Sequence, residues 1–285
     1  MPLTRTSRRR AGRLGGAGAL LVAAGLGLTL AACGGGSPAS GSPDAAGTRA
    51  GTASSGTASA APRIVRIFAA ASLQGPLDTI AKDFEAAHPE YTVAPITYDG
   101  SQALATQAID GADVDVLALA SEASLVPVTE AGLTGKGTIF ASNTLEMAVA
   151  PGNPKGLRSL QDLARNGVSV VVCASEVPCG QATDKVTADA GVTLEPVSQE
   201  SNVTSVVNRV AGGEADAGLV YSTDVKAAGD KLQGVALPNA DKAINRYPVA
   251  VSSKAKDPEG GEAFEDYLLS AEGRKTLAEA GFGAP

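Results

Sequence analysis

Apolar residues along this chain alternate between two spacings, short consecutive runs and recurrences every three or four positions, which predicts strands and helices in turn. Residues 63–71 open with Ile64, Val65, Ile67 and Phe68, the pattern of a buried strand, and the run stops at Ser72. Pro76, Leu77, Ile80, Ala81 and Phe84 follow at helical spacing, with the proline near the first turn, where it is tolerated. Residues 91–98 are strand-like, Gly100-Ser101 interrupts them, and Leu104, Ala105, Ala108 and Ile109 make a second helical face. Residues 114–120 are a third buried strand. A second set starts with the strand 144–150, closed by Pro151-Gly152-Asn153-Pro154. It continues with a short helix at Leu160 and Leu163, strand 168–172 running into Cys173, helix 182–190, strand 192–197, helix 203–210 and strand 217–221. Strand 247–251 and helices carrying Phe264, Tyr267, Leu268 and Leu277 complete the chain. Strands alternating with helices predict an α/β fold with mostly parallel sheets. The repetition about a midpoint near residue 145 predicts two small domains with a cleft between them. The expected bounds are 63–144 with 245–285 for domain I, and 145–244 for domain II.

The amino-terminal end reads as an address. Arg5, Arg8, Arg9, Arg10 and Arg13 precede a Leu-, Ala- and Gly-rich stretch ending in Leu30-Ala31-Ala32-Cys33, which resembles a bacterial lipobox. Residues 1–32 are therefore expected to be a lipoprotein signal peptide, with Cys33 the lipidated residue and 33–62 a Gly/Ser/Ala/Thr/Pro tether from the membrane. A single membrane anchor is the plainer alternative, but it leaves the cysteine without a role. Removing the five arginines of that segment from a net charge of −7 leaves −12, so nucleic acid is an unpromising partner. An anionic ligand has to be captured locally, against the field of the whole protein. With Cys33 assigned, Cys173 and Cys179 remain as an even pair, read as a disulfide outside the cytoplasm. Two buried free thiols are the alternative. A metal site fits less well, because two cysteines and the single, distant His88 do not complete a shell.

Four places share one design, in which a strand ends, small or hydroxylic residues follow and a helix begins. They are Ala71-Ser72-Leu73, Gly100-Ser101-Gln102, Pro178-Cys179-Gly180 and Ser201-Asn202-Val203. A helix start exposes unpaired N–H groups at the positive end of its dipole, which suits an anion. Any one of Ser72, Ser101 or Asn202 is more simply an ordinary N-cap. Four such places at strand ends, where ligands bind in open α/β sheets, point to a site. Catalysis finds no support: there is no nucleophile elbow and no P-loop, and His88 precedes Pro89 at a helix end in the manner of a surface turn. Asp113 and Asp115 at a strand start read as structural. No catalytic residue and no cofactor is expected.

Phe68-Ala69-Ala70-Ala71-Ser72-Leu73, Gly100-Ser101 before Leu104-Ala105, Val177-Pro178-Cys179-Gly180, Asn202-Val203 and Gly218-Leu219-Val220-Tyr221 resemble, in order, the molybdate-binding proteins of ABC importers. The resemblance spans residues 63–285 and implies a two-domain, periplasmic-binding-protein-like clamshell. It implies that Ser72 and Ser101 supply donors from the first domain, that Cys179 and Val203 donate backbone N–H groups from the second, and that Tyr221 donates its phenolic O–H. In the family the position of Cys179 is often alanine, as suits a contact made by backbone alone. Ser121 departs from the family, which usually carries an acidic residue there, but it lies outside the implied site. The donor set holds no Arg or Lys, so a dianion is held by dipoles, and no direct ligand to the molybdenum. It also holds no acceptor, so a protonated phosphate leaves one hydrogen unpaired, which costs about 1–3 kcal/mol. Molybdate, tungstate and sulfate carry no such proton. The implied protein is a monomeric lipoprotein at the outer face of the cell membrane, with an ABC permease and its ATPase as partners; a sulfate-binding protein, or an enzyme on a related fold, are the competing readings.

Overall fold

The computed structural model describes residues 62–285; the expected signal peptide, Cys33 and the expected tether up to residue 61 lie outside the described residues. The first apolar run forms β1 (Arg63–Val65) and β2 (Ile67–Ala70) rather than one strand. The break falls at Arg66, whose backbone N–H donates to the carboxylate of Asp115 at 2.8 Å instead of to a neighbouring strand. That buried carboxylate also accepts from the N–H groups of Lys256 and Asp257, so Asp115 is structural, as expected. A 3-10 turn (Ala71–Leu73) leads into α1 (Gln74–Ala87), which ends at His88, whose ring packs at a tilt against Phe84. Then come β3 (Tyr91–Val93), β4 (Thr97–Asp99), α2 (Ser101–Ile109), β5 (Val116–Ala118), α3 (Glu122–Glu130) and β6 (Thr138–Asn143).

The chain then enters a second sheet through β7 (Leu145–Val149), α4 (Leu160–Leu163), β8 (Val170–Cys173), α5 (Pro178–Asp189), β9 (Ser198–Glu200), α6 (Val203–Ala211), β10 (Ala217–Tyr221), α7 (Ser222–Ala228) and β11 (Gln233–Ala236). It returns through β12 (Asn245–Val251) and finishes in α8 (Pro258–Leu269) and α9 (Ala271–Ala280). The first sheet has the order β4-β2-β5-β12-β6 and the second β11-β7-β10-β8-β9, with β1 and β3 paired separately. The cores divide in the same way. One draws on residues between Leu145 and Ala243, and two others, on opposite faces of the first sheet, draw on Val65–Ala141 and Tyr247–Phe282.

One expectation holds and one needs correction. In each five-stranded sheet four strands run in one direction, as expected of a mostly parallel sheet, and a single strand runs against them: β12 is antiparallel to β5 and β6, and β7 antiparallel to β10 and β11. These are the strands next to the two passages between sheets, where the chain reverses direction. The strand expected at 192–197 is absent, and its ladder is made by β9 instead. Val192 and Leu194 do pack alternately on the second core, so the segment is extended, but pairing with β8 begins only after Pro196.

Candidate functional site

The ends of β2, β4 and β10, with the segments that follow β5, β8 and β9, line one small cavity of about 20 Å³ between the two lobes. Its wall contains Ser72, Ser101, Cys179, Val203 and Tyr221, so all five expected site residues come together. That volume exceeds the roughly 10–15 Å³ needed by a single water and suits only a compact solute. A larger groove of about 770 Å³ opens beside it between α1, α6, α7 and α9. It shares Ser72 but none of Ser101, Cys179, Val203 or Tyr221, and its charges, Asp78, Lys226, Asp224 and Glu279, are of both signs.

From the first lobe come two hydroxyls with directed protons. Ser101 is the first residue of α2 and buried; its Oγ accepts from the Ala120 N–H at 2.9 Å, which leaves its own hydrogen free to donate. Ser72 Oγ lies 2.9 Å from Tyr247 Oη. Asn143 fixes the direction of that bond. Its Oδ1 accepts from the Thr144 N–H and Ser222 Oγ, so its Nδ2 faces Thr223 Oγ1 at 2.8 Å and Tyr247 Oη at 3.5 Å. Tyr247 then spends its hydrogen on Ser72, and the Ser72 hydrogen is left for the cavity. Sequence reasoning read Tyr247 only as a strand residue. Burial pushes its phenol well above the usual range, so it remains a donor.

The second lobe contributes helix starts. Cys179 follows Pro178 in the first turn of α5, and Val177 in the cap position offers no side chain to the N–H groups behind it. The Sγ atoms of Cys173 and Cys179 lie at bonding distance, with the Cα atoms 5.7 Å apart, tying the end of β8 to this turn. Gly180 is pressed onto the same turn, where a Cβ would overlap the Ala174 carbonyl. At α6 the Asn202 side chain caps the Ser205 N–H and leaves that of Val203, the first helical residue, unclaimed by the cap. Tyr221 ends β10 and is 1% exposed. Its Oη has no hydrogen-bond partner within 3.5 Å, the one such buried side-chain atom among the described residues, and the nearby Tyr247 hydroxyl interacts with it only from beyond that distance. Burial, with Tyr247 and Asp224 nearby, pushes this phenol far above its ordinary range, so it too stays protonated.

No Lys or Arg lines the cavity. One residue there was missed: Asp99, whose Oδ1 accepts from the Gly100 N–H at 2.7 Å and from Asn202 Nδ2 at 3.0 Å. The five expected donors include no acceptor, but the wall as a whole includes this carboxylate. Nothing local in the sequence marked Asp99, because it meets Asn202 only across the cleft. Among the described residues no group of three or more His, Cys, Asp or Glu side chains is arranged to hold a metal ion.

Residues 65–283 match the family described as bacterial extracellular solute-binding protein. The chain belongs to that family. It is 42% identical over 266 residues to the molybdate-binding protein ModA of Mycobacterium tuberculosis, an alignment covering 93% of this chain and 97% of the relative. Its fold is shared by the periplasmic molybdate-binding protein of Azotobacter vinelandii, with TM-score 0.64 and 20% identity over 78% of this chain and 99% of the other. It is also shared by the sulfate-binding protein SubI of Mycobacterium tuberculosis, with TM-score 0.66 and 20% identity over 77% and 86%. The fold is thus the two-domain one of periplasmic binding proteins, and the family's role is solute binding for transport outside the cytoplasm rather than catalysis.

Proposed function

We propose that this protein captures molybdate, and tungstate with it, and delivers the anion to an ABC permease driven by its ATPase. The observation that carries the reading is the Tyr221 O–H without a partner within 3.5 Å, on a residue in the wall of a cation-free cavity ringed by helix starts from both lobes. A buried phenol without an acceptor costs about 1–3 kcal/mol, which an oxyanion oxygen relieves. Ser72 and Ser101 donate hydroxyls, Cys179 and Val203 donate backbone N–H groups, and Tyr221 donates its phenol. The dianion is held by dipoles in an enclosed site, where they count for more than in water. Identity of 42% to a protein named as molybdate-binding supports molybdate among the oxyanions.

In this reading residues 63–144 with 245–285, and 145–244, close on the anion as two bodies. The Cys173–Cys179 disulfide holds the Cys179 N–H in place. Cys33 carries the lipid, residues 33–62 form the tether, and the monomer works at the outer face of the membrane.

Competition calorimetry with molybdate, tungstate, sulfate and phosphate tests the function. Molybdate and tungstate should bind tightly and phosphate should not, with little change on adding salt, since the donors are neutral. Asp99 is the carboxylate a phosphate proton would need; its Oδ1 already takes two hydrogen bonds, which leaves Oδ2 as the oxygen that would have to receive that proton. Phosphate binding comparable to molybdate would overturn the reading. Sulfate displacing molybdate at equal concentration would reassign the protein to sulfate.

A further inference from the structure

We infer that Asp99 and Asn202 form a latch between the lobes, which biases the cleft toward closure and so sets the affinity of the oxyanion site. Asp99 ends β4 in the first lobe, and Asn202 caps α6 in the second. Each lobe orients its own half. Asn202 Oδ1 accepts from the Ser205 N–H at 3.0 Å and from Ser205 Oγ at 3.1 Å, so Nδ2 is the end that faces the cleft. Asp99 Oδ1 is steered by the Gly100 N–H at 2.7 Å and receives Asn202 Nδ2 at 3.0 Å. Both side chains are half-buried, and the acceptor is a carboxylate, which makes this a stronger bond than an exposed neutral pair.

The position of the pair supports a closing role. Gly100, the next residue after Asp99, lies against the Ser201 carbonyl so closely that a Cβ would overlap it. The lobes therefore touch backbone to backbone where the latch forms. A carboxylate in the wall of an anion site works against the ligand, and its charge here is directed into the Gly100 N–H and the Asn202 amide. Other side-chain bonds between the lobes come from Asn143 and Asn245, which lie on the crossing segments themselves, and from Lys226, whose ammonium donates to the Glu279 carbonyl at 2.6 Å along the neighbouring groove rather than at the cavity wall. Neither Asp99 nor Asn202 needs to touch the anion; both are positioning residues.

This inference rests on the oxyanion reading of the cavity, and the test separates the two. Asn202→Asp keeps the α6 cap, since Asp and Asn cap equally well, but sets carboxylate against carboxylate. The exchange Asp99→Asn with Asn202→Asp restores every bond with the roles reversed and keeps the wild-type net charge. In the double variant the amide placed on β4 accepts from the Gly100 N–H and donates across the cleft. The carboxylate placed at the head of α6 receives that bond on one oxygen and caps the helix with the other. Small-angle scattering of the anion-free proteins and calorimetric titration with molybdate give the readouts. Asn202→Asp should be wider without anion, bind molybdate about tenfold more weakly or worse, and melt like the wild type. The double exchange should return both width and affinity to near the wild-type values. A single variant that scatters and binds like the wild type, or a double exchange as weak as the single, overturns the latch. A wild type that binds neither molybdate nor sulfate sinks the oxyanion reading instead, and the anion-free scattering still judges the latch.

Discussion

The two lobes equip the site in different ways. The first offers hydroxyls that already hold partners, Ser72 with Tyr247 and Ser101 with the Ala120 N–H. The second offers backbone N–H groups at the starts of α5 and α6, together with a phenol that has none. Each hydroxyl oxygen of the first half thus holds one partner whether or not a ligand is present, whereas the second half carries a buried phenol with none, at a cost of about 1–3 kcal/mol. The first lobe serves as a platform. The second gains stability when an acceptor arrives.

The largest expected effect comes from keeping the halves apart. Gly100 has φ −61 and ψ 136, a conformation open to any residue, so Gly100→Ala is unstrained within its own lobe. Its Cβ meets the Ser201 carbonyl only when the lobes close. Overpacking of this kind costs about 1–3 kcal/mol, or roughly ten- to a hundredfold in affinity, with the upper end expected at a rigid backbone contact. Scattering should show Gly100→Ala remaining extended at molybdate concentrations that compact the wild type. Wild-type affinity in this variant would mean that the lobes do not meet there.

Removing one donor from each half sharpens the comparison. Tyr221→Phe and Ser72→Ala should each weaken molybdate binding about tenfold or somewhat more, the loss of one hydrogen bond to a charged oxygen. Their anion-free stabilities should differ. Tyr221→Phe removes a donor without a partner and should melt at or above the wild type. Ser72→Ala deprives the buried Tyr247 Oη of its better partner and should melt lower, by about 1 kcal/mol. Equal melting shifts would erase the distinction between platform and responder.

Asp224 should change affinity least, because it donates nothing to the cavity; its effect is on stability. Burial pushes this carboxyl up to about 7, although the Tyr221 N–H at 2.9 Å opposes the shift. An unfolded aspartate titrates near 3.9, so the folded protein holds the proton more tightly. Its stabilising share is complete below about pH 4 and is lost as pH rises through about 7. Against Asp224→Asn, which does not titrate, the wild type should lose up to roughly 4 kcal/mol between pH 4 and pH 8 in urea unfolding. A difference that stays flat with pH would show that this carboxyl is not held in its neutral form.

What was legible in the sequence followed the range of the interactions. Helix starts are local chemistry: Asn202 three residues before Ser205, or Pro178 at the head of α5, can be read without knowing the fold. That is why the helix starts holding Ser72, Ser101, Cys179 and Val203 could be singled out locally, whereas the ligand roles of these four and of Tyr221 came from the resemblance. Tyr247 and Asp99 reach the site through contacts far apart in sequence, and neither has a local signature. The same limit governs the sheets. Alternation at 192–197 reported an extended segment on the core, but hydrogen-bonded pairing depends on β8, and there Pro196 decides where the ladder begins.

A wall without cations shifts part of the choice of ligand into the solvent. An ion that enters this cavity leaves its hydration shell, and no Lys or Arg at the wall repays that loss with an ion pair. The cost of stripping water falls as ionic radius grows, so a large tetrahedral dianion gives up less than a small one of equal charge. With the same donors and geometry, molybdate and tungstate therefore start ahead of sulfate before any contact is compared. Selectivity of this kind is a difference between hydration free energies, and it should narrow in cosolvents that weaken the hydration of small anions.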